Sequence, residues 1–284
     1  MTNKPSTFSE SRIGFSSCCF PSSISVEEIL KFCLDHDFGA FEIEVNTTNF
    51  DPGNVHESTF EWIRNLSAKD ALRFSVHSPG NINLSDPEPA VRAKSEKDVK
   101  DALELAARLQ AVTVVVHPGR VVGEFSHESW QAAVEHNVSA LQRCALRAQA
   151  LGVSLSVENL CHEKGSVNPN IDHFLAMCRA IDLSRIGITL DTNHAGLVDG
   201  LQKSVEVVGR YVNHIHFSSN KGIRSDHCEP AVGVIDFHAV QGFFKDFTGL
   251  NIIELNEIGR ESGGAILRTR AFLDDLSGAA NSKS

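Results

Sequence analysis

Eight short runs of β-branched and aromatic residues recur along this chain, at residues 12–15, 40–45, 73–77, 113–117, 154–158, 186–191, 212–217 and 251–255. Each has the length of a strand, about 4–6 residues. Stretches with helical periodicity separate them, at 57–67, 91–109, 128–151, 171–181, 201–211, 237–247 and 265–276, after a first one that opens at Ser25. There Ser25-Val26-Glu27-Glu28 reads as a capping box, with Val26, Ile29, Leu30 and Cys33 on one apolar face. Gly39 and Gly152 stand where helices should close. Strands that alternate with helices imply a parallel sheet with crossover helices, and eight of each close most readily into a (β/α)8 TIM barrel of the α/β class. The open doubly wound sheet is disfavoured because no G-x-G-x-x-G follows the first strand. No linker or low-complexity stretch divides the chain. A single domain is expected over 12–276, with polar tails at 1–11 and 277–284.

Charge and cysteine usage narrow the functional classes. Thirty-six acidic residues against 26 basic ones leave a net charge of −10, which disfavours sequence-independent hold on a phosphate backbone. No nucleic-acid partner is therefore expected. No apolar run approaches the roughly 18 residues of a membrane helix, and the Ser-rich start lacks the apolar segment of a signal peptide. A cytoplasmic protein with no membrane partner is expected. The seven cysteines form no C-x-x-C pair, so they read as reduced thiols.

In a barrel of this kind, function sits at the C-terminal ends of the strands. Those ends read Glu44, His77, His117, Glu158, Asp191 with His194, His216, and Glu254. One histidine in such a place is usually structural. A carboxylate or imidazole closing nearly every strand points instead to a divalent metal accepting both O and N donors: Mn, Zn, Co, Fe or Mg.

The motifs themselves carry a resemblance. His77-Ser78-Pro79, Ile82-Asn83-Leu84, Val114-Val115-Val116-His117-Pro118-Gly119, Ser156-Val157-Glu158-Asn159, Ile188-Thr189-Leu190-Asp191-Thr192-Asn193-His194-Ala195, His214-Ile215-His216-Phe217 and Ile252-Ile253-Glu254 follow one another on successive strands. Residues 226–236 resemble an H-x-x-P-x-x-G-x-I-D loop running from His227 to Asp236. Together, over residues 13–254, they resemble the xylose isomerase-like TIM-barrel superfamily. It holds sugar isomerases and epimerases and the endonuclease IV branch of DNA repair. The resemblance implies a central metal on Glu158, Asp191, His216 and Glu254. His77 and His117, and His194 and His227, match additional ligands of the nuclease branch. Ser225 stands where that branch has an Asp two positions before His227, with Asp226 beside it, and Ser219 likewise replaces an Asp. One ion is expected.

The nuclease branch needs loops that penetrate DNA and basic side chains that hold phosphates. Gly80 and Asn81 replace its aromatic residue and apolar wedge, and 45–50 lacks its Arg and Trp. The expected function is therefore metal-dependent isomerisation or epimerisation of a small sugar, sugar phosphate or keto-polyol. Glu158 and Glu254 would transfer the proton through a metal-stabilised enediolate. Glu44, His77, His194 and His227 are expected to contact substrate, and Asn159 to orient Glu158. The alternatives are an endonuclease IV-like phosphodiesterase acting on abasic DNA, a metal-dependent lyase or dehydratase, and a binding protein that has lost its chemistry. A carbohydrate ligand and a homo-oligomer are the expected partners. His214 shares a strand face with His216, but the resemblance favours only His216 as a ligand, and His162 reads as a rim residue near substrate. His36, His56, His127, His136, His173 and His238 read as solvated.

Overall fold

The periodicity expected of eight β/α units is met by a computed structural model that describes residues 12–21, 23–45, 50–161, 165–256 and 262–278. Its strands are β1 Ile13–Ser16, β2 Ala40–Glu44, β3 Arg73–His77, β4 Thr113–Val116, β5 Ser154–Glu158, β6 Ile186–Asp191, β7 Val212–Phe217 and β8 Leu250–Ile253. They pair in parallel, each with the next in sequence, and β1 pairs with β8 to close the barrel. The helices between and after them are α1 Val26–Asp35, α2 Glu57–Ala68, α3 Pro89–Leu109, α4 His127–Leu151 and α5 Ile171–Ile181. Beyond β6 come α6 Thr192–Val198, α7 Leu201–Val208, α8 Gln241–Asp246 and α9 Ser262–Leu276. No helix among the described residues is long and apolar enough to cross a membrane.

Most boundaries follow the periodicity, and the departures have physical causes. The capping box at Ser25 forms in both directions, Ser25 Oγ accepting from Glu28 N and the Glu28 carboxylate from Ser25 N. α4 closes on Gly152 in the left-handed region, as expected. Beyond α1, however, Asp37 takes the left-handed turn at φ 53°, leaving Gly39 to begin the next strand's approach. β4 stops at Val116 rather than His117, since Pro118 offers no N–H to continue the ladder. β8 ends at Ile253, so Glu254 lies one residue past the strand. The span expected as one helix over 237–247 is a 3-10 turn, His238–Val240, followed by the short α8. α6 was not expected from its polar sequence. It forms because Asp191 caps it, Oδ1 accepting from His194 N at 2.6 Å.

Strand periodicity divides the core into two regions. Outward residues such as Phe15, Phe41, Phe74 and Phe217 are fully buried beneath the helices. Phe15 packs edge-on against Phe38 and Phe41, with ring centroids 4.9 and 5.5 Å apart. Inward residues are mostly polar above a small apolar floor of Ala40, Leu250 and Ile252. A register shift where β6 meets β7 accommodates Asn213. Ser156 Oγ donates to Asn213 Oδ1 at 2.8 Å, and Asn213 Nδ2 donates to Ser154 Oγ at 3.1 Å. Gly187 makes room for this side chain; any Cβ at 187 would overlap it.

All seven cysteines are free thiols. Of the histidines read as solvated, His136 is half-buried and the other five are exposed. His162 lies outside the described residues.

Candidate metal centre

Side chains two residues apart on a strand share a face, so the inward set Glu44, His77, Glu158, Asp191 and His216 arrives at one rim. His117 and Glu254 join from just beyond β4 and β8. His194 comes from the first turn of α6, and His227 from the loop after β7. The structure thus brings together the eight ligand candidates read from the sequence. They fall into three groups able to share an ion: Glu158·Asp191·His216·Glu254, His77·His117·Glu158, and Asp191·His194·His227.

His216 is the hub. Its Nδ1 lies 2.8 Å from Glu254 Oε2, 3.3 Å from Glu158 Oε1 and 4.0 Å from Asp191 Oδ2. Burial works against a charged ring, but Glu254, Glu158 and Glu42 hold His216 well above the usual imidazole range. Burial likewise opposes ionisation of Glu158 and Glu254. His216 and His117 overcome it at Glu158, holding that carboxyl well below its usual range. His216 and His227 do so at Glu254, which is held down to about 2. Asp191 goes the other way, pushed well up by burial and by the charges of Glu254 and Glu158. Asp191 Oδ2, His216 Nδ1 and Glu254 Oε2 are buried with no aligned hydrogen-bond partner among the described residues. Three carboxylates around one imidazole, with orphaned lone-pair atoms facing one another, fit a bound divalent cation.

The two flanking histidine pairs differ in the way their second nitrogens are used. His77 Nδ1 donates to Ser78 O at 2.7 Å, which leaves Nε2 as the nitrogen facing Glu158 Oε2, 3.3 Å away. His117 Nε2 lies 3.2 Å from the same oxygen. Without a cation present, burial disfavours the charged His77 ring but Glu158 pushes it up to about 10. His194 is reversed. Its Nδ1 accepts from Cys161 N at 2.7 Å, so the proton of the neutral ring sits on Nε2, 3.9 Å from Asp191 Oδ1. Burial and the neighbouring His227 push His194 down to about 3. His227 Nε2 accepts from Asn193 Nδ2 at 3.0 Å, leaving its Nδ1–H toward Ser218 Oγ, Asp191 and Glu254. Its backbone is left-handed, at φ 43°, a conformation that clusters at functional sites.

Several expectations need adjustment. Asn159 does not orient Glu158. Its amide clamps the backbone of Asp191, donating to Asp191 O and accepting from Asp191 N. Ser225 accepts from Asn193 Nδ2, and Asp226 pairs with Arg224 at 2.8 Å instead of joining the third group. Glu44 is half-buried at the rim, its carboxyl raised by burial. Sequence reading missed Glu42, which is wholly buried between His214 and His216. Its position two residues before Glu44 on the same strand face was the available signal.

The barrel also matches known proteins. The chain is 27% identical over 257 residues to an uncharacterized protein of Methanocaldococcus jannaschii, MJ1311, covering 87% of this chain and 84% of that one. It is 27% identical over 210 residues to a probable endonuclease 4 of Mycobacterium ulcerans, covering 70% and 79%. A solved D-tagatose 3-epimerase-like protein shares the fold with a TM-score of 0.82 at 24% identity, over 95% of this chain and 98% of that one. A family model described as a xylose isomerase-like TIM barrel matches residues 30–276. With this match over most of its length, and eight strands closed around a rim of carboxylates and imidazoles, the chain belongs to the xylose isomerase-like TIM-barrel family.

Proposed function

We propose that this protein is a metal-dependent isomerase or epimerase of a small sugar, sugar phosphate or keto-polyol. The observation that carries the reading is the pair of carboxylates, Glu158 and Glu254, meeting a single His216 nitrogen at 3.3 and 2.8 Å. One ion on Glu158, Asp191, His216 and Glu254 would supply Lewis-acid polarisation of a substrate carbonyl. Glu158 and Glu254 remove a proton beside that carbonyl and return it to a neighbouring carbon or to the opposite face. Such transfer contributes about 10²–10⁴-fold per group. The two are not equivalent, because 20% of the Glu254 side chain is exposed against 2% of Glu158. Glu254 therefore exchanges its proton with water faster. His194 and His227, each presenting an N–H to the site, hold substrate oxygens, and Glu44 contributes at the rim.

The test is proton exchange with free and phosphorylated ketoses in deuterated water, read by NMR. The expected result is deuterium entering next to the carbonyl, slowed at least 100-fold in Glu158→Gln and in Glu254→Gln. Epimerisation with no deuterium incorporated would replace proton transfer by hydride transfer and sink the role of the glutamates.

Two specific observations favour phosphodiester hydrolysis as a second reading. The His77·His117·Glu158 group shares Glu158 with the central one, an arrangement suited to two ions bridged by one carboxylate. Ile223, 89% exposed, stands on the loop after β7 between Lys221 and Arg224, an apolar tip with basic flanks. Efficient, metal-dependent nicking of abasic DNA at low salt would promote this reading.

A further inference from the structure

Beneath the rim lies a second layer of inward side chains, each two residues before a member of the first. Glu42 precedes Glu44, Ser75 precedes His77, and His214 precedes His216. Glu42, Ser75, His214 and His216 are all fully buried. The two oxygens of Glu42 have different company. Oε2 accepts from Ser75 Oγ at 2.9 Å and lies 2.9 Å from His214 Nε2. Oε1 lies 3.0 Å from His216 Nε2, and neither atom has an aligned hydrogen-bond partner among the described residues. When Nδ1 ligates a cation, the one proton of the neutral ring is left to Nε2, which faces this carboxylate oxygen.

We propose that Glu42 is a positioning residue that fixes the proton of His216 on Nε2 and so keeps the Nδ1 lone pair turned toward Glu158, Asp191 and Glu254. The role rests on the metal-binding reading of that group. A ligating imidazole characteristically gives its other N–H to a carboxylate or carbonyl, and loss of that partner costs about 10–100-fold in metal affinity. The division of labour within Glu42 sharpens this into a directional expectation. In Glu42→Gln, Ser75 Oγ donates at the Oε2 position, so the amide oxygen settles there. The amide nitrogen then faces His216 Nε2 and, being a donor, calls for a lone pair on it. The neutral ring is driven to carry its proton on Nδ1, where it blocks coordination.

The experiment is zinc binding by calorimetry, with 15N-labelled histidine spectra of wild type and Glu42→Gln. The expected results are a protonated Nε2 on His216 in zinc-loaded and zinc-free wild type alike, and loss of that Nε2 proton, with Nδ1 protonated, in zinc-free Glu42→Gln. Zinc affinity should fall about 10–100-fold in the variant. Unchanged affinity with Nε2 still protonated in the variant would overturn the role. So would a zinc ion counted in wild type that Glu42→Gln loses while the central ion stays, since Glu42 would then be a ligand itself. Should Glu42→Gln not fold, the wild-type spectrum alone decides: zinc-loaded His216 with a bare Nε2 contradicts the proposal. Wild type that binds no zinc sinks the metal reading itself, whereas wild-type affinity beside an unaltered variant sinks the positioning role alone.

Discussion

The His77/His117 pair and the His194/His227 pair flank the same central group, contain the same residue type, and each meet a carboxylate that the central group shares. They differ in the partner of the second ring nitrogen. Ser78 O takes the Nδ1 proton of His77, so Nε2, facing Glu158, is the nitrogen left to a cation, whereas Cys161 N–H fills Nδ1 of His194, so an N–H faces Asp191. The His77 side presents a nitrogen that a cation can take in exchange for a proton, and the other presents donors suited to substrate oxygens. Ligand-type residues at a barrel rim are thus not interchangeable. At His77 and His194 the backbone group behind the ring decides what the ring can hold.

Disabling the centre that both pairs serve has the largest effect. Asp191→Asn and His216→Ala should abolish activity and remove the central ion while circular dichroism stays unchanged, because barrel stability lies in the packed interior and under the helices. Full metal content in either variant would break the comparison at its root. Next comes the contrast itself. His77→Gln, acting through Glu158, should lower zinc affinity about 10–100-fold. His194→Gln should keep wild-type metal content and raise KM about 10-fold, the worth of one hydrogen bond to substrate. Equal effects of the two on metal content would erase the distinction.

His77 and His194 should also titrate with opposite sign in chelated protein. The folded value of His77 is raised from 6.5 to about 10, so its stabilisation is complete below pH 6.5 and lost as pH rises through 10. His194 is depressed from 6.5 to about 3. The unfolded chain therefore binds the extra proton between those values, and stability falls as pH drops from 6.5 toward 3. Denaturation curves across pH should lose their alkaline limb in His77→Gln and their acid limb in His194→Gln. The smallest effect belongs to Asn193→Ala, which removes the amide behind His227 and should raise KM only about threefold, a fraction of one hydrogen bond.

Much of this architecture was legible in the sequence because strand periodicity is local. Alternation along β2, β3, β5, β6 and β7 fixes which residues face inward, and that places His77, Glu158, Asp191 and His216 on one rim without tertiary information. Boundaries failed where a single group decides, as at His117, which precedes Pro118, and at α6, which needs the Asp191 side chain as its cap. Asn159 and Glu42 were misread or missed for another reason. Their partners, the Asp191 backbone and His216, are 32 and 174 residues away, and no local pattern encodes such contacts. The assignment of proton positions on His194 and His227 likewise depends on Cys161 N–H and the Asn193 amide, groups whose approach only the closed barrel determines.

Metal content per chain is the most direct measure of this account, taken on protein purified without chelators and compared among wild type, Asp191→Asn and His194→Gln. One ion is expected in wild type, absent from Asp191→Asn and fully retained in His194→Gln. Three ions in wild type, with one lost on replacing His194 alone, would show that ring to be a ligand and contradict the division between the two histidine pairs.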